Sequence, residues 1–184
     1  MAPIARALRQ RVARVRFLLL DVDGVLTDGT IYLDGEGRET KGFHIHDGSG
    51  IRLAQAAGLG VGLLSGRESA AVTRRARELG IDELHQGIED KAAAYARITE
   101  RLGLTDRAVA YMGDDVIDLP VLEHVGLAVA VADAHARVRA AAHWVTRRNG
   151  GRGAVRELID LLLHVQGHVP VPQPRGRSGR SVRI

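Results

Sequence analysis

Asp21 and Asp23 stand one residue apart just past the apolar run Phe17 to Leu20, inside the stretch FLLLDVDGVLTDG. Two carboxylates this close repel each other and are costly to desolvate, so a cation between them or a shared proton is the natural remedy. Mg²⁺ suits the pair best, because a small hard ion takes one or two carboxylates and completes its shell with water and phosphate oxygens. A calcium loop of the EF-hand type does not fit: it requires Gly at its sixth position and Glu at its twelfth, whereas here Gly24 is fourth and Tyr32 twelfth. A solvated acidic turn is the plain alternative for an isolated Asp-x-Asp. The downstream sequence argues against it. Ser65-Gly66-Arg67 closes a second apolar run, Lys91 opens a helical stretch, and Asp114, Asp115 and Asp118 follow a third apolar run in GDDVID.

Together these residues meet the needs of phosphoryl transfer. A phosphate monoester is a doubly charged anion with a poor leaving group, so its hydrolysis needs charge neutralisation, an in-line nucleophile and a proton for the departing oxygen. Asp21 can attack phosphorus and form an aspartyl phosphate. Asp23 can protonate the leaving alkoxide and then activate water. Asp114 can join Asp21 in holding Mg²⁺, with Asp115 and Asp118 behind them as outer-shell or secondary ligands. Ser65 and nearby amides can bind a phosphoryl oxygen, and Lys91 can offset transition-state charge.

The elements that must position these groups are legible in the same chain. Phe17 to Leu20 shows no polar alternation, as expected of a central strand covered on both faces. Val61 to Leu64 and Ala108 to Met112 read as two more such strands, Leu127 to Val131 as a fourth, and Trp144-Val145 and Asp82 to Gln86 as short ones. Helices are expected near residues 2–14, from Ile51 to a stop at Gly58, through Val72, Ala76 and Leu79 to Gly80, over Glu89 to Leu102, and over Val155 to Val165. Residues 44–50 read as a Gly-rich lead-in to the second of these. Strands alternating with helices predict an α/β fold, a doubly wound and mostly parallel sheet, in which ligands bind beyond the strands' carboxyl ends. Asp34-Gly35-Glu36-Gly37 between two β-prone runs predicts a β-hairpin overhanging the first aspartates as a flap. Lys91 in the first turn of a helix opposes the macrodipole, which points to an anion nearby.

Composition narrows the function further. The 184 residues suit one domain over 1–167, followed by a basic tail over 168–184 that reads as disordered. Five arginines in residues 1–16 and four in 168–184 account for nine of 26 basic residues; the remaining 17 face 22 acids, so the middle of the chain is net −5. That balance and an aromatic content of 3% argue against a nucleic-acid-binding core. The Arg-rich ends read as solvated termini. There are no cysteines, no run long enough to span a bilayer and no secretory signal pattern, which suits a cytoplasmic protein with no membrane partner.

DVDGVLTDG, SGR, Lys91 and GDDVID resemble, in order, the four motifs of the haloacid dehalogenase superfamily of aspartate-nucleophile phosphatases. Through GFHIHDGSGIRL, VAYMGDDVIDLPVLEHVGLAVAVADAH and NGGRGAVREL the chain is similar to one family within it, the 3-deoxy-D-manno-octulosonate 8-phosphate phosphatases. The similarity covers roughly Arg14 to Gly167. It implies a Rossmann-like core without a cap domain, and homotetramers in which hairpins meet centrally and neighbouring subunits help to close each site. It implies Asp21 as nucleophile, Asp23 as acid/base, and Mg²⁺ held by Asp21, Asp114 and the Asp23 carbonyl. It further implies contacts to a phosphorylated sugar acid from His44, Ile45, His46, Asp47, Gly48, Arg52, Arg67, Arg75 and Lys91, with Asp23 at the leaving group. Arginines suit a carboxylate-bearing substrate, which they can grip in two-pronged fashion. His46 departs from the Arg or Lys that many relatives carry before Asp-Gly, and a histidine loses its charge near neutrality. The activity so implied is hydrolysis of the 8-phosphate in lipopolysaccharide precursor synthesis. Its rivals are a nonulosonate 9-phosphate phosphatase and a non-catalytic, phosphatase-like partner of a sugar-acid nucleotidyltransferase.

Overall fold

A computed structural model describes residues 4–168; most of the expected tail, residues 169–184, lies outside the described residues. The elements in chain order are α1 (Arg6–Arg14), β1 (Phe17–Leu20), a hairpin of β2 (Tyr32–Leu33) and β3 (Glu39–Thr40), α2 (Ile45–Ala56), β4 (Gly60–Leu64), α3 (Ala70–Leu79) and β5 (Glu83–His85). They continue with α4 (Lys91–Leu102), β6 (Val109–Gly113), α5 (Leu119–Leu122), β7 (Leu127–Ala130), α6 (Ala136–Ala141), β8 (Trp144–Val145) and α7 (Ala154–Val165).

The uninterrupted apolar runs become the centre of one sheet. Every residue of β1, β6 and β7 is buried, which is why none of them alternates with a polar residue. The order is β5-β4-β1-β6-β7-β8, with every pairing parallel. From β1 the chain builds outward to β4 and β5 on one side, then returns to lay β6, β7 and β8 on the other. β1 therefore borders the switch point, where the crevice beyond the carboxyl ends opens. Asp21, Ser65 and Asp114 each follow one of the three adjacent strands β1, β4 and β6.

Two features of the fold differ from the sequence expectation. α2 begins at Ile45, so the Gly-rich segment expected as a lead-in is already helix. Gly48 and Gly50 are poor helix formers, but tertiary packing overrides them. A Cβ at Gly48 would lie 2.2 Å from Arg75 Nη2, and one at Gly50 would lie 3.3 Å from Arg156 Cα, so their missing side chains let α2 approach α3 and α7. The sequence reading also left α5 and α6 out. Each is shorter than two turns and carries too little periodicity to stand out.

The hairpin forms with only two residues in each strand, and Ile31, Tyr32 and Leu33 on it are exposed apolar side chains. Among the described residues no helix is long and apolar enough to cross a membrane.

Candidate active site

The aspartate loop curls because its own backbone closes on Val22. The amides of Leu26 and Thr27 donate to the Val22 carbonyl at 2.9 and 3.1 Å, and Thr27 Oγ1 accepts from Gly29 N at 3.2 Å. Gly24 sits in the left-handed region at φ +88°, and a Cβ there would lie 2.1 Å from Asp114 Oδ2. A glycine is thus needed twice over, for the turn and for the approach of the Asp114 carboxylate.

A second loop presses on this turn from behind. Gly151 N donates to Val25 O at 2.8 Å, and a Cβ on Gly150 would fall 1.6 Å from Gly24 O. Gly150→Ala is therefore expected to lower stability by about 1–3 kcal/mol, the usual cost of overpacking, and to lower kcat by displacing the aspartate turn. Thermal melts and steady-state kinetics on the variant check both.

Asp21 is buried at the tip of β1 and its amide donates to Met112 O at 3.0 Å. Carboxylate oxygens of Asp21, Asp114 and Asp118 lie within 4.8 Å of one another. Lys91 reaches into them from the first turn of α4, with Nζ 2.9 Å from Asp21 Oδ1 and 2.6 Å from Asp118 Oδ1. This is the anion its helical position foretold. Asp118 is saturated: Oδ1 also accepts from the Tyr111 hydroxyl at 2.6 Å, while Oδ2 accepts the amides of Asp114 and Asp115 at 2.9 and 3.1 Å. It serves as the anchor of Lys91 and of the turn that carries Asp114. Asp115 is exposed, and its carboxylate accepts from Val116 N as the cap of that turn.

The electrostatics of the cluster favour a cation. Burial pushes the Asp21 carboxyl up to about 6, with Lys91 opposing and Asp118 adding to the shift. Burial, then the charges of Asp21 and Asp118, push Asp114 up to about 8. Burial alone would lower the Lys91 ammonium, but the two carboxylates outweigh it and hold it above the ordinary lysine value. Asp114 Oδ1 is buried with no hydrogen-bond partner. An orphaned carboxylate oxygen beside a second under-neutralised carboxylate is the hard, oxygen-only donor set that Mg²⁺ takes, so Asp21 and Asp114 fit the ion.

The other sequence candidates divide. Ser65 is buried at the tip of β4, where its Oγ accepts from Arg67 N at 3.2 Å. Asp23 lies beside Arg67, with 3.8 Å between Oδ2 and Nε, and bonds Lys41. Asp47 is buried and uses both oxygens at the N-terminus of α7, accepting from Gly153 N at 3.1 Å and Arg156 N at 2.7 Å. It thereby satisfies amides that the helix cannot pair for itself. Arg75 fills the space above Gly48, pairs with Glu78 at 2.9 Å and lies over the Phe43 ring, while Arg52 bonds the Glu78 carbonyl. These two arginines tie α2 to α3. His44 lines a cavity of about 390 Å³ with Lys41, Phe43 and Arg152. His46 lines a different one, of about 710 Å³, with Trp144, Arg147 and Arg156. Ile45 is 77% exposed.

Sequence reading missed Lys41, Glu39, Tyr111 and the Gly150-Gly151 buttress. Only Tyr111 left a signal, as the sole residue with a hydroxyl in the buried run leading to GDD.

A sequence profile of the haloacid dehalogenase-like hydrolases matches residues 84–159. The 3-deoxy-D-manno-octulosonate 8-phosphate phosphatase of Yersinia pestis is 48% identical over 180 residues, covering 98% of this chain and 94% of that protein. The chain belongs to that phosphatase family. The crystal structure of the Yersinia pestis phosphatase superposes with a TM-score of 0.88 at 47% identity, covering 90% of each chain. That of the Moraxella catarrhalis phosphatase, which holds a magnesium ion, a phosphate ion and the sugar acid, superposes with a TM-score of 0.87 at 37% identity over 89% of this chain and 94% of that one. The six-stranded parallel sheet is thus the haloacid dehalogenase core that the motifs implied.

Proposed function

We infer that this protein is a Mg²⁺-dependent phosphatase that hydrolyses 3-deoxy-D-manno-octulosonate 8-phosphate to the free sugar acid and phosphate, a step in lipopolysaccharide precursor synthesis. The observation that carries the reading is the 47–48% identity, over 96–98% of this chain, to phosphatases of that ester, together with a relative that holds the ion and both products. The intact cluster of Asp21, Asp114 and Lys91 weighs against a non-catalytic partner of a nucleotidyltransferase.

Bound by Asp21 and Asp114, with the Asp23 carbonyl as the third protein ligand, Mg²⁺ supplies charge neutralisation for a phosphoryl oxygen. Asp21 is the nucleophile. Its free carboxylate oxygen bonds phosphorus while the bond from phosphorus to the ester oxygen breaks. The ester oxygen takes the released electron pair and a proton from the Asp23 carboxyl. Asp23, now a carboxylate, withdraws a proton from water as that water's oxygen bonds phosphorus and the Asp21 acyl phosphate opens. Ser65 donates to a phosphoryl oxygen, and Lys91 holds Asp21 while offsetting the charge that gathers on the phosphoryl group. Asp115 and Asp118 stand behind the ion, Asp118 by fixing Lys91 and the Asp114 turn. Arg67, beside Asp23, is the nearest candidate for the sugar acid.

Further features of the reading concern assembly and location. The protein is proposed to act as a capless, single-domain enzyme over residues 1–167, in the cytoplasm, as a homotetramer. The exposed Ile31, Tyr32 and Leu33 of the hairpin support a central contact there. Ile45, His44 and His46 are then proposed to act at the subunit boundary, where neighbouring copies close the site, with Asp47, Gly48, Arg52 and Arg75 holding α2 in place behind them.

The test is a comparison of kcat/KM for the octulosonate 8-phosphate and a nonulosonate 9-phosphate, with Mg²⁺ and again with EDTA. The eight-carbon ester is expected to be preferred, and EDTA to stop turnover of both. Preference for the nine-carbon ester would replace the substrate.

Metal binding should also be linked to protons. Asp21 and Asp114 hold protons in the metal-free protein up to about pH 6 and pH 8, and Mg²⁺ requires both ionised. Its apparent affinity should therefore weaken by about tenfold for each pH unit between about 8 and 6, and more steeply below about 6 where a second proton competes. Calorimetric titration in two buffers of different ionisation enthalpy should show the released proton. A flat affinity between pH 8 and pH 6 would contradict the linkage.

A further inference from the structure

Lys41 carries a shielded ammonium outside the acid cluster. It follows β3 of the hairpin, and its side chain is 2% exposed. Its Nζ bonds Asp23 Oδ1 and lies 3.5 Å from Glu39 Oε1. The other oxygen of Glu39 accepts from Arg67 Nη2 at 2.6 Å, and Arg67 Nε returns to Asp23 Oδ2 at 3.8 Å. Four charged side chains thus close a ring through three segments: the hairpin, the loop after β1 and the loop after β4.

Within this ring the two contacts to Asp23 are unequal. Arg67 is half exposed and at long range, so solvent screens its pull. Lys41 is shielded and bonded directly, and a shielded ammonium holds its anionic partner strongly because the alternative is an uncompensated charge. The Asp23 carboxylate is itself partly exposed, on a loop, with no other side-chain hydrogen bond among the described residues. Among the described residues, Lys41 is thus the stronger of the two side chains that hold its rotamer.

We propose that Lys41 is the positioning residue of the acid/base: it holds the Asp23 carboxyl in the orientation from which the proton passes to the departing ester oxygen. This rests on the phosphatase reading and adds to it a residue that touches neither phosphorus nor metal. The step it serves is cleavage of the bond from phosphorus to the ester oxygen, with the electron pair and the Asp23 proton both ending on that oxygen.

The experiment compares two leaving groups. An alkyl ester such as the octulosonate 8-phosphate departs as an alkoxide and needs the proton, whereas an aryl ester such as 4-nitrophenyl phosphate departs as a stabilised phenolate and does not. Lys41→Met keeps the apolar stem and removes the ammonium. It is expected to lower kcat on the sugar phosphate by about 100-fold, the usual weight of a positioned acid, with a far smaller loss on the aryl ester and little change in KM. In an Asp23→Asn background the same substitution should cause no further loss on the sugar phosphate. Lys41→Arg, which keeps a buried cation of different reach, should fold and separate the two esters in the same direction, by less. Equal losses on both esters, unchanged turnover of the sugar phosphate, or a further loss in the Asp23→Asn background would each overturn the proposal. If the wild type turns over another alkyl phosphate instead, the substrate reading falls, and the same comparison on that ester still decides the role of Lys41. A wild type that cleaves aryl esters and no alkyl ester overturns both.

Discussion

Asp21→Asn is expected to abolish phosphate release, lowering kcat by at least about 10⁴-fold, while leaving a folded protein. The amide has nearly the volume of the carboxylate but no charge with which to attack phosphorus, and it offers a poorer oxygen to Mg²⁺. Stability should hold or rise. Asp21 lies within 4.8 Å of two other carboxylates, and burial already raises its pKa to about 6, so the charged form is unfavourable where it stands. Removing that charge relieves repulsion on Asp114, and Lys91 keeps Asp118 as its partner at 2.6 Å. Kinetics with a melting curve on one preparation check both halves. Retained turnover would contradict a covalent mechanism at Asp21.

Lys91→Met should fail in the opposite way, losing stability as well as activity. Lys91 is the cation that balances Asp21 and Asp118, both buried. Breaking a buried pair by removing one partner typically costs about 3–5 kcal/mol, because the remaining charge has nowhere to go. Loss of one preorganised positive group at the phosphoryl site should lower kcat by a further ~10²–10³-fold. The two variants thus separate the cluster's roles: one carboxylate can be removed at no structural cost, whereas the ammonium cannot. Added Mg²⁺ should recover part of the stability of Lys91→Met, since the ion binds the folded state and supplies replacement charge. A variant that melts like the wild type would show that Asp21 and Asp118 are neutralised by something other than Lys91.

What could be read in the sequence follows from how local the signals are. Aspartates that end abruptly an unbroken apolar run are visible in four to six consecutive residues, so the sequence alone places Asp21 and Asp114 at strand tips. Lys91 was legible because its charge opposes the helix dipole at that position, and the structure supplies the anions. Lys41 was not, because its partner lies 18 residues away across a hairpin and neither periodicity nor turn chemistry encodes that pairing. The contact of Gly150 with the Gly24 carbonyl spans most of the chain. Asp47 illustrates a third case: the family motif marks the residue, but only the packing of α2 on α7 reveals that its oxygens cap a helix. The onset of α2 was missed for the same reason, since Gly48 and Gly50 are chosen for what they pack against rather than for helix propensity.

The most direct test of the central claim, that Asp21 at the metal-bound tip of β1 is itself phosphorylated, is to trap the intermediate. Enzyme turning over the octulosonate 8-phosphate with Mg²⁺ is quenched and treated with borohydride, which reduces an acyl phosphate to the alcohol, and the peptide carrying residues 17–29 is read by mass spectrometry. The account predicts conversion of Asp21 alone to homoserine, dependent on substrate and absent with EDTA. Conversion at Asp23 or Asp114, or turnover at full rate with no residue converted, would contradict it.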